Sequence, residues 1–338
     1  MSAGAEPLLA VRQLSVVHRQ PPKGWFGPPR RLRAVDELNL NLYPGETLGL
    51  VGESGSGKST LARALVGLVP AGAGSIRLGG RELTRMRPRQ WREVRRTVQM
   101  VFQDPLGSLD PCMRVGDSVA EPLEFLCGER DPAARRRRVA ELFERVGLTP
   151  GMMERFPHEL SGGQCQRVGI ARALAPEPQI LICDEAVSAL DATTRQQILE
   201  LLRSLQQEFG LSMLFISHDL SVVRALARRV LVMYYGRVME QAETQILFEQ
   251  PRHPYTKALL ASAPGTDPAR RRELLLDGPP PDVSMPAQGC VFTSRCPLAD
   301  QHCLRQVPVM RRLAGGGGAA CHYIADGNIW PSPAATPA

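Results

Sequence analysis

Two spacings of apolar residues alternate along this chain. Residues 8–18 carry Leu and Val at alternating positions and predict a strand. A Pro/Gly/Arg-rich insertion follows over 20–33, and its Trp25-Phe26 pair reads as the tip of a mobile hairpin. Residues 34–51 read as further strands, broken by a Pro44-Gly45 turn. Within them Thr47-Leu48-Gly49-Leu50-Val51 is a short apolar run ahead of a glycine-rich loop. A helix is predicted over 58–69 and a strand over 98–102. Residues 104–160 are charged and helical, with apolar residues at helical spacing in 139–146. Another helix is predicted over 161–175. Then come a strand over 180–183, a helix over 192–209, a strand over 213–216, a helix over 219–228 and a strand over 230–233. This alternation predicts an α/β fold, a mostly parallel sheet covered by helices. Beyond residue 250 prolines multiply and the alternation fades. The expected organisation is one domain over 1–250, with a helical part at about 104–175, and a small irregular extension over 251–338. Gly315-Gly316-Gly317-Gly318 reads as a flexible loop.

Composition changes this picture little. A chain of 338 residues with 43% hydrophobic content can bury a sizeable core. The net charge is +7, but of the 41 basic side chains only Lys23, Lys58 and Lys257 are lysine. That bias reads as codon usage in a GC-rich genome, not as a nucleic-acid signal. The Arg135–Arg138 run reads as a solvated helix face. No stretch approaches the roughly 20 apolar residues that span a bilayer, and no basic start leads into an apolar secretory segment. The expectation is a soluble intracellular protein that reaches a membrane only through partners.

Residues 52–59, Gly52-Glu53-Ser54-Gly55-Ser56-Gly57-Lys58-Ser59, satisfy G-x-x-x-x-G-K-[ST] between an apolar strand and a predicted helix. Glycines let the backbone wrap so that successive N–H groups point at phosphate oxygens. The helix N-terminus adds partial positive charge. Lys58 supplies a full mobile charge, Ser59 offers a hydroxyl to Mg²⁺, and Thr60 follows on the same helix. In an arginine-rich chain this position keeps lysine, because a compact ammonium fits where a planar guanidinium does not. About 130 residues on, the apolar strand 180–183 ends in Asp184-Glu185. A carboxylate at such a strand tip holds Mg²⁺, and Glu185 can align or deprotonate an attacking water.

Leu160-Ser161-Gly162-Gly163-Gln164, lying between those motifs, resembles the signature sequence of ABC ATPases. The resemblance implies a P-loop core with an antiparallel β subdomain and a helical subdomain. It also implies that Ser161 to Gln164 face ATP held by an opposing cassette. Gln103 resembles the Q-loop glutamine, Ser188-Ala189-Leu190-Asp191 the D-loop, and His218 the H-loop histidine that touches the γ-phosphate. His18 stands where relatives stack an aromatic residue on adenine, and Ala186 stands where they often have proline. Phe102-Gln103-Asp104-Pro105 and His253-Pro254-Tyr255-Thr256 are similar to the second, F-type ATP-binding subunit of oligopeptide and dipeptide importers. That likeness implies a peptide importer at the cytoplasmic face of the inner membrane. Its partners would be a second related ATPase, two membrane permeases and an external peptide-binding protein, with no nucleic acid. A soluble ABC ATPase acting on the ribosome or DNA remains the alternative, as does an importer of nickel or glutathione.

Eight cysteines are present. Cys112, Cys127, Cys165 and Cys183 are scattered and read as buried or incidental thiols. Cys290, Cys296, Cys303 and Cys321 lie close together in sequence. Four thiolates suit an iron–sulfur cluster or Zn²⁺, with His302 and His322 adjoining two of them. The spacing resembles the cysteine region of peptide-importer ATPases, some of which carry a [4Fe–4S] cluster. Unliganded or disulfide-linked cysteines remain the other reading.

Overall fold

A computed structural model describes residues 6–20, 30–262, 288–313 and 316–324. Trp25 and Phe26 lie outside the described residues. Two sheets organise the fold. The first is antiparallel and four-stranded, built from β1 (Leu9–Gln20), β2 (Arg30–Leu42), β4 (Ala73–Leu78) and β5 (Arg81–Glu82) in the order β2-β1-β4-β5. The second contains β3 (Thr47–Val51), β6 (Val98–Val101), β7 (Ile180–Asp184), β8 (Ser212–Ser217), β9 (Arg229–Tyr234), β10 (Arg237–Glu243), β11 (Arg311–Arg312) and β12 (Gly318–Ala319). Their order is β11-β12-β10-β9-β3-β8-β7-β6, parallel from β9 to β6 and antiparallel beyond β9. The main helices are α1 (Lys58–Leu65), α2 (Trp91–Thr97), α3 (Val115–Phe125), α4 (Pro132–Arg145), α5 (Gly162–Leu174), α6 (Ala192–Phe209), α7 (Leu220–Leu226), α8 (Thr244–Glu249) and α9 (Pro254–Ala261).

The apolar runs become the middle of the second sheet because both of its faces are covered. Every residue of β3, β7 and β8 is buried. Their side chains alternate between two cores. Val51, Leu181, Cys183, Met213 and Phe215 point into the core shared with the helices. Leu48, Leu50, Ile180, Ile182, Leu214 and Ile216 point toward the antiparallel sheet and α1. Each fully buried side chain of this size contributes about 1.5–3 kcal/mol. Burial pushes the Cys183 thiol up to about 12, which makes it an inert packing group.

The structure corrects the sequence reading in several places. Helix α1 stops at Leu65, short of 69. Gly67 follows at φ 69°, and a Cβ there would sit 2.4 Å from the Trp91 ring, so the chain turns under the indole. Strands β4, β5 and β10 went unpredicted. In β4 only Ile76 is buried, and β10 buries Glu240, so neither shows plain alternation. The expected flexible loop 315–318 is partly strand. Gly318 pairs with Gln241 and Arg312, and Ala319 with Glu240 and Arg311. Gly317, at φ 84°, lies where a Cβ would come within 2.4 Å of the Gln241 carbonyl, so glycine permits this close docking on β10. Gly315 lies outside the described residues. The arginine run on α4 is a surface face: Arg136 and Arg137 are exposed, and Arg135, Arg136 and Arg138 pair with the exposed carboxylates of Glu124, Glu154 and both Glu141 and Glu177. No helix among the described residues is long and apolar enough to cross a membrane.

Gly49 sets the approach of α7 to the sheet. A Cβ there would lie 2.4 Å from Val223 Cγ1 and 3.0 Å from Ala227 Cβ. Gly49→Val is therefore expected to destabilise the protein by about 2 kcal/mol. Thermal or denaturant unfolding of the nucleotide-free protein checks this.

Candidate active site

The candidate residues gather at the carboxyl ends of parallel strands, where open α/β sheets commonly place ligands. The glycine-rich loop leaves β3, Gln103 lies two residues past β6, Asp184 ends β7 with Glu185 just after it, and His218 follows β8. The loop is tight. A Cβ on Gly57 (φ 102°) would lie 2.0 Å from the Ala34 carbonyl oxygen, and one on Gly52 2.0 Å from that of Met233. Ser54 and Gly55 form its exposed crest.

Lys58 is buried and bends back over the loop. Its Nζ donates to the carbonyls of Gly52 and Glu53 at 2.8 Å each and to Ser56 Oγ at 3.3 Å. Burial lowers its pKa, while Glu185, Asp184 and Glu53 pull it up. Ser59 Oγ donates to Asp184 Oδ1 at 2.9 Å. Burial raises the pKa of Asp184, against the Ser59 hydrogen bond. A hydroxyl beside a buried carboxylate is a donor set suited to Mg²⁺.

Two residues meet at the Glu185 carboxylate. Gln103 Nε2 donates to its Oε2 at 3.0 Å, and His218 Nδ1 lies 3.1 Å from the same oxygen. Glu185 holds φ 49°, a sparsely populated backbone region. The turn that follows is closed without proline. Glu185 N–H donates to the Ile216 carbonyl, and the Ser188 N–H and Oγ both donate to the Glu185 carbonyl. Ala186 is buried in that turn.

Other expected residues lie around this centre. His18 Nε2 is 3.2 Å from Thr60 Oγ1, which ties β1 to the first turn of α1. Ser161 caps α5 reciprocally, taking the Gln164 N–H at 3.3 Å while Gln164 Oε1 takes its own N–H at 2.9 Å. Ser161 and Gly162 are exposed. Asp191 caps α6 by accepting the Thr194 N–H at 3.0 Å. A Cβ on Gly163 would lie 2.4 Å from Thr194 Cγ2, so the signature stretch and the D-loop stretch are neighbours on one surface. Two contacts to the loop were missed in the sequence. Tyr255 Oη accepts the Glu53 N–H at 3.0 Å, and Arg295 reaches Glu53 Oε2 at 2.8 Å. Nothing in the local pattern points to either, because both contacts span more than 200 residues.

The chain is similar to known proteins over most of its length. Residues 35–188 match the ABC transporter family, and residues 239–303 match the oligopeptide/dipeptide transporter C-terminal region. The oligopeptide transport ATP-binding protein OppF of Escherichia coli is 47% identical over 315 residues, which cover 92% of this chain and 94% of that protein. The chain belongs to the ABC ATP-binding proteins of the oligopeptide/dipeptide importer family. OppF of Salmonella typhimurium is 50% identical over 292 residues, 85% of this chain and 87% of that one. Among solved structures, the ATP-binding cassette MJ0796, a dimer in a post-hydrolysis state bound to ADP and Pi, superposes with a TM-score of 0.63 at 28% identity. The match covers 70% of this chain and 98% of that one.

The C-terminal cysteines of this ABC ATPase converge. Cys290, Cys296, Cys303 and Cys321 line one small hollow of about 10 Å³ together with Phe292, and all four are free thiols. His322 also lines it, with its ring 4.2 Å from that of His302. Burial raises the thiol pKa of Cys290, Cys296 and Cys321. No group of three or more His, Cys, Asp or Glu among the described residues is placed to hold a metal ion.

Glu185→Gln removes the carboxylate that Gln103 and His218 both face. It is expected to lower ATP turnover by about a hundredfold or more while ATP affinity stays within about twofold. Steady-state phosphate release and equilibrium nucleotide binding on the same preparation check both halves.

Proposed function

We propose that this chain is the ATP-hydrolysing subunit of an ABC importer of peptides, seated peripherally at the inner face of the cell membrane. It works beneath two permeases, beside a second related ATPase subunit, and for an external peptide-binding protein. The observation that carries this reading is one chain with two properties. It brings Ser59, Asp184, Gln103, Glu185 and His218 together at the carboxyl ends of the parallel strands. It also matches OppF proteins over most of its length, including the C-terminal region. The relatives are named as peptide transport or peptide import proteins, which leaves the ribosome- or DNA-acting alternative without support.

In this reading the amides of residues 52–60 and the Lys58 ammonium hold the triphosphate, with His18 against the adenine. Ser59 and Asp184 hold Mg²⁺, and Gln103 completes its surroundings. Glu185 aligns the attacking water and accepts its proton, and His218 steadies the γ-phosphate. ATP and water become ADP and phosphate, driven by positioning and charge stabilisation. Ser161, Gly162, Gly163 and Gln164 present a capped helix start to the ATP of the partner cassette, and Asp191 lies along the same seam. Exposure of Ser161 and Gly162 supports this use.

We also read the four cysteines as ligands of a [4Fe–4S] cluster, from the likeness of their spacing to that of peptide-importer ATPases and from their lining one hollow. Four soft donors around one space suit a cluster, which takes one thiolate per iron, better than a single ion. The cluster would tie down a segment too short for a core of its own.

Lys58→Ala is expected to abolish ATP binding and ATP-driven peptide uptake. Affinity purification of the tagged chain from membranes is expected to bring down two permeases and a second ABC ATPase. Recovery with polysomes instead would overturn the reading. Anaerobically purified protein should be brown and carry about four irons and four sulfides per chain. A colourless, iron-free preparation would remove the cluster from it.

A further inference from the structure

The cysteine-bearing segment is wired into the phosphate loop. Arg295 lies next to Cys296 in sequence and ends the turn Thr293–Arg295. Its guanidinium donates to Glu53 Oε2 at 2.8 Å and, from the same nitrogen, to Tyr234 Oη at 3.4 Å. The Glu53 backbone N–H is held by Tyr255 Oη from α9. Beneath these contacts the rings of Tyr234, Tyr255 and Phe292 pack together, with centroids 4.6 to 5.4 Å apart, and all three are fully buried. The second residue of the loop is thus clamped at its main chain by one C-terminal element and at its carboxylate by another.

Glu53 is an awkward residue for this position. A carboxylate in a loop that receives a triphosphate repels the ligand, and it stands on the residue whose backbone carbonyl already holds Lys58 Nζ at 2.8 Å. Arg295 supplies the cancelling charge. The pair is only 15% and 30% exposed, so salt screens it less than an open surface pair.

We propose that Arg295 is a positioning residue for ATP binding. It cancels the Glu53 carboxylate and holds it off Lys58, so the seating of the four-cysteine segment sets the affinity of the loop for triphosphate. The proposal rests on residues 52–59 being the ATP loop, a reading that Lys58→Ala tests by itself.

The test is a double-mutant cycle on the full chain, read as the Kd for Mg-ATP alongside kcat. Arg295→Met keeps the length of the stem and removes the charge. It is expected to weaken ATP binding about fivefold, with kcat at saturating ATP changed less than about twofold. In a Glu53→Gln background the same substitution is expected to change the Kd by less than about twofold. An equal loss in both backgrounds would mean that Arg295 acts only through packing, and the proposal would fail. No loss in the wild-type background would end it as well. If Arg295→Met does not fold, Arg295→Gln supplies the same comparison. Loss of ATP binding in Lys58→Ala with no coupling between Arg295 and Glu53 would sink this proposal and leave the ATP-loop reading standing.

Discussion

The hydrogen bond from Ser59 to Asp184 is the contact on which the chemistry of this protein depends. It joins a loop at one end of the sequence to a strand tip more than 120 residues away. It exists because β3 and β7 flank β8 in parallel with their ends level. Val51 pairs with Ser217 and Asp184 with Ile216, so the two strand ends stand within one residue of each other. A register slip in either strand would reverse its side chains between the two cores and separate the hydroxyl from the carboxylate. The apolar filling of both cores and the placement of the reacting groups are therefore one constraint.

The backbone around that contact is held in conformations that need outside support. Glu185 sits in the left-handed region, and the loop glycines approach neighbouring carbonyls where no side chain would fit. The cost of a strained residue is of order 1–3 kcal/mol. Here the support is local hydrogen bonding: Ile216 fixes the Glu185 amide and Ser188 fixes its carbonyl. The turn thus keeps its shape with Ala186 where proline would restrict φ by covalent means.

Much of this was legible in the chain itself. The central strands read as uninterrupted apolar runs because both faces are covered. The helix over 192–209 was legible end to end, since Asp191 caps its start and Gly210, in the left-handed conformation, closes it. The phosphate loop announces itself by spacing, Asp184-Glu185 by its place at the end of an apolar strand, and Ser161 to Gln164 by resemblance to the ABC signature. The parts that stayed hidden depend on partners distant in sequence. Strand β10 carries a buried Glu240, tolerated because the amides of Arg252 and His253 donate to its carboxylate. Tyr255 and Arg295 reach the loop only after the chain has folded back across the sheet. Gly317 read as slack, yet it is the residue that lets one backbone lie against another.

The docking of β12 on β10 bears on how the molecule stays apart from its copies. A sheet that ended at β10 would present a row of free amides and carbonyls, a template on which another extended chain could pair. Two residues of the terminal segment cover part of that border, and β11, another two residues, lies outside them. A chain clipped by a protease ahead of residue 316 would keep its phosphate loop and strand-edge carboxylates. It would also gain an adhesive rim and lose Cys321 from the hollow that seats the Arg295 segment, so clumping and a loosened phosphate loop would arrive together.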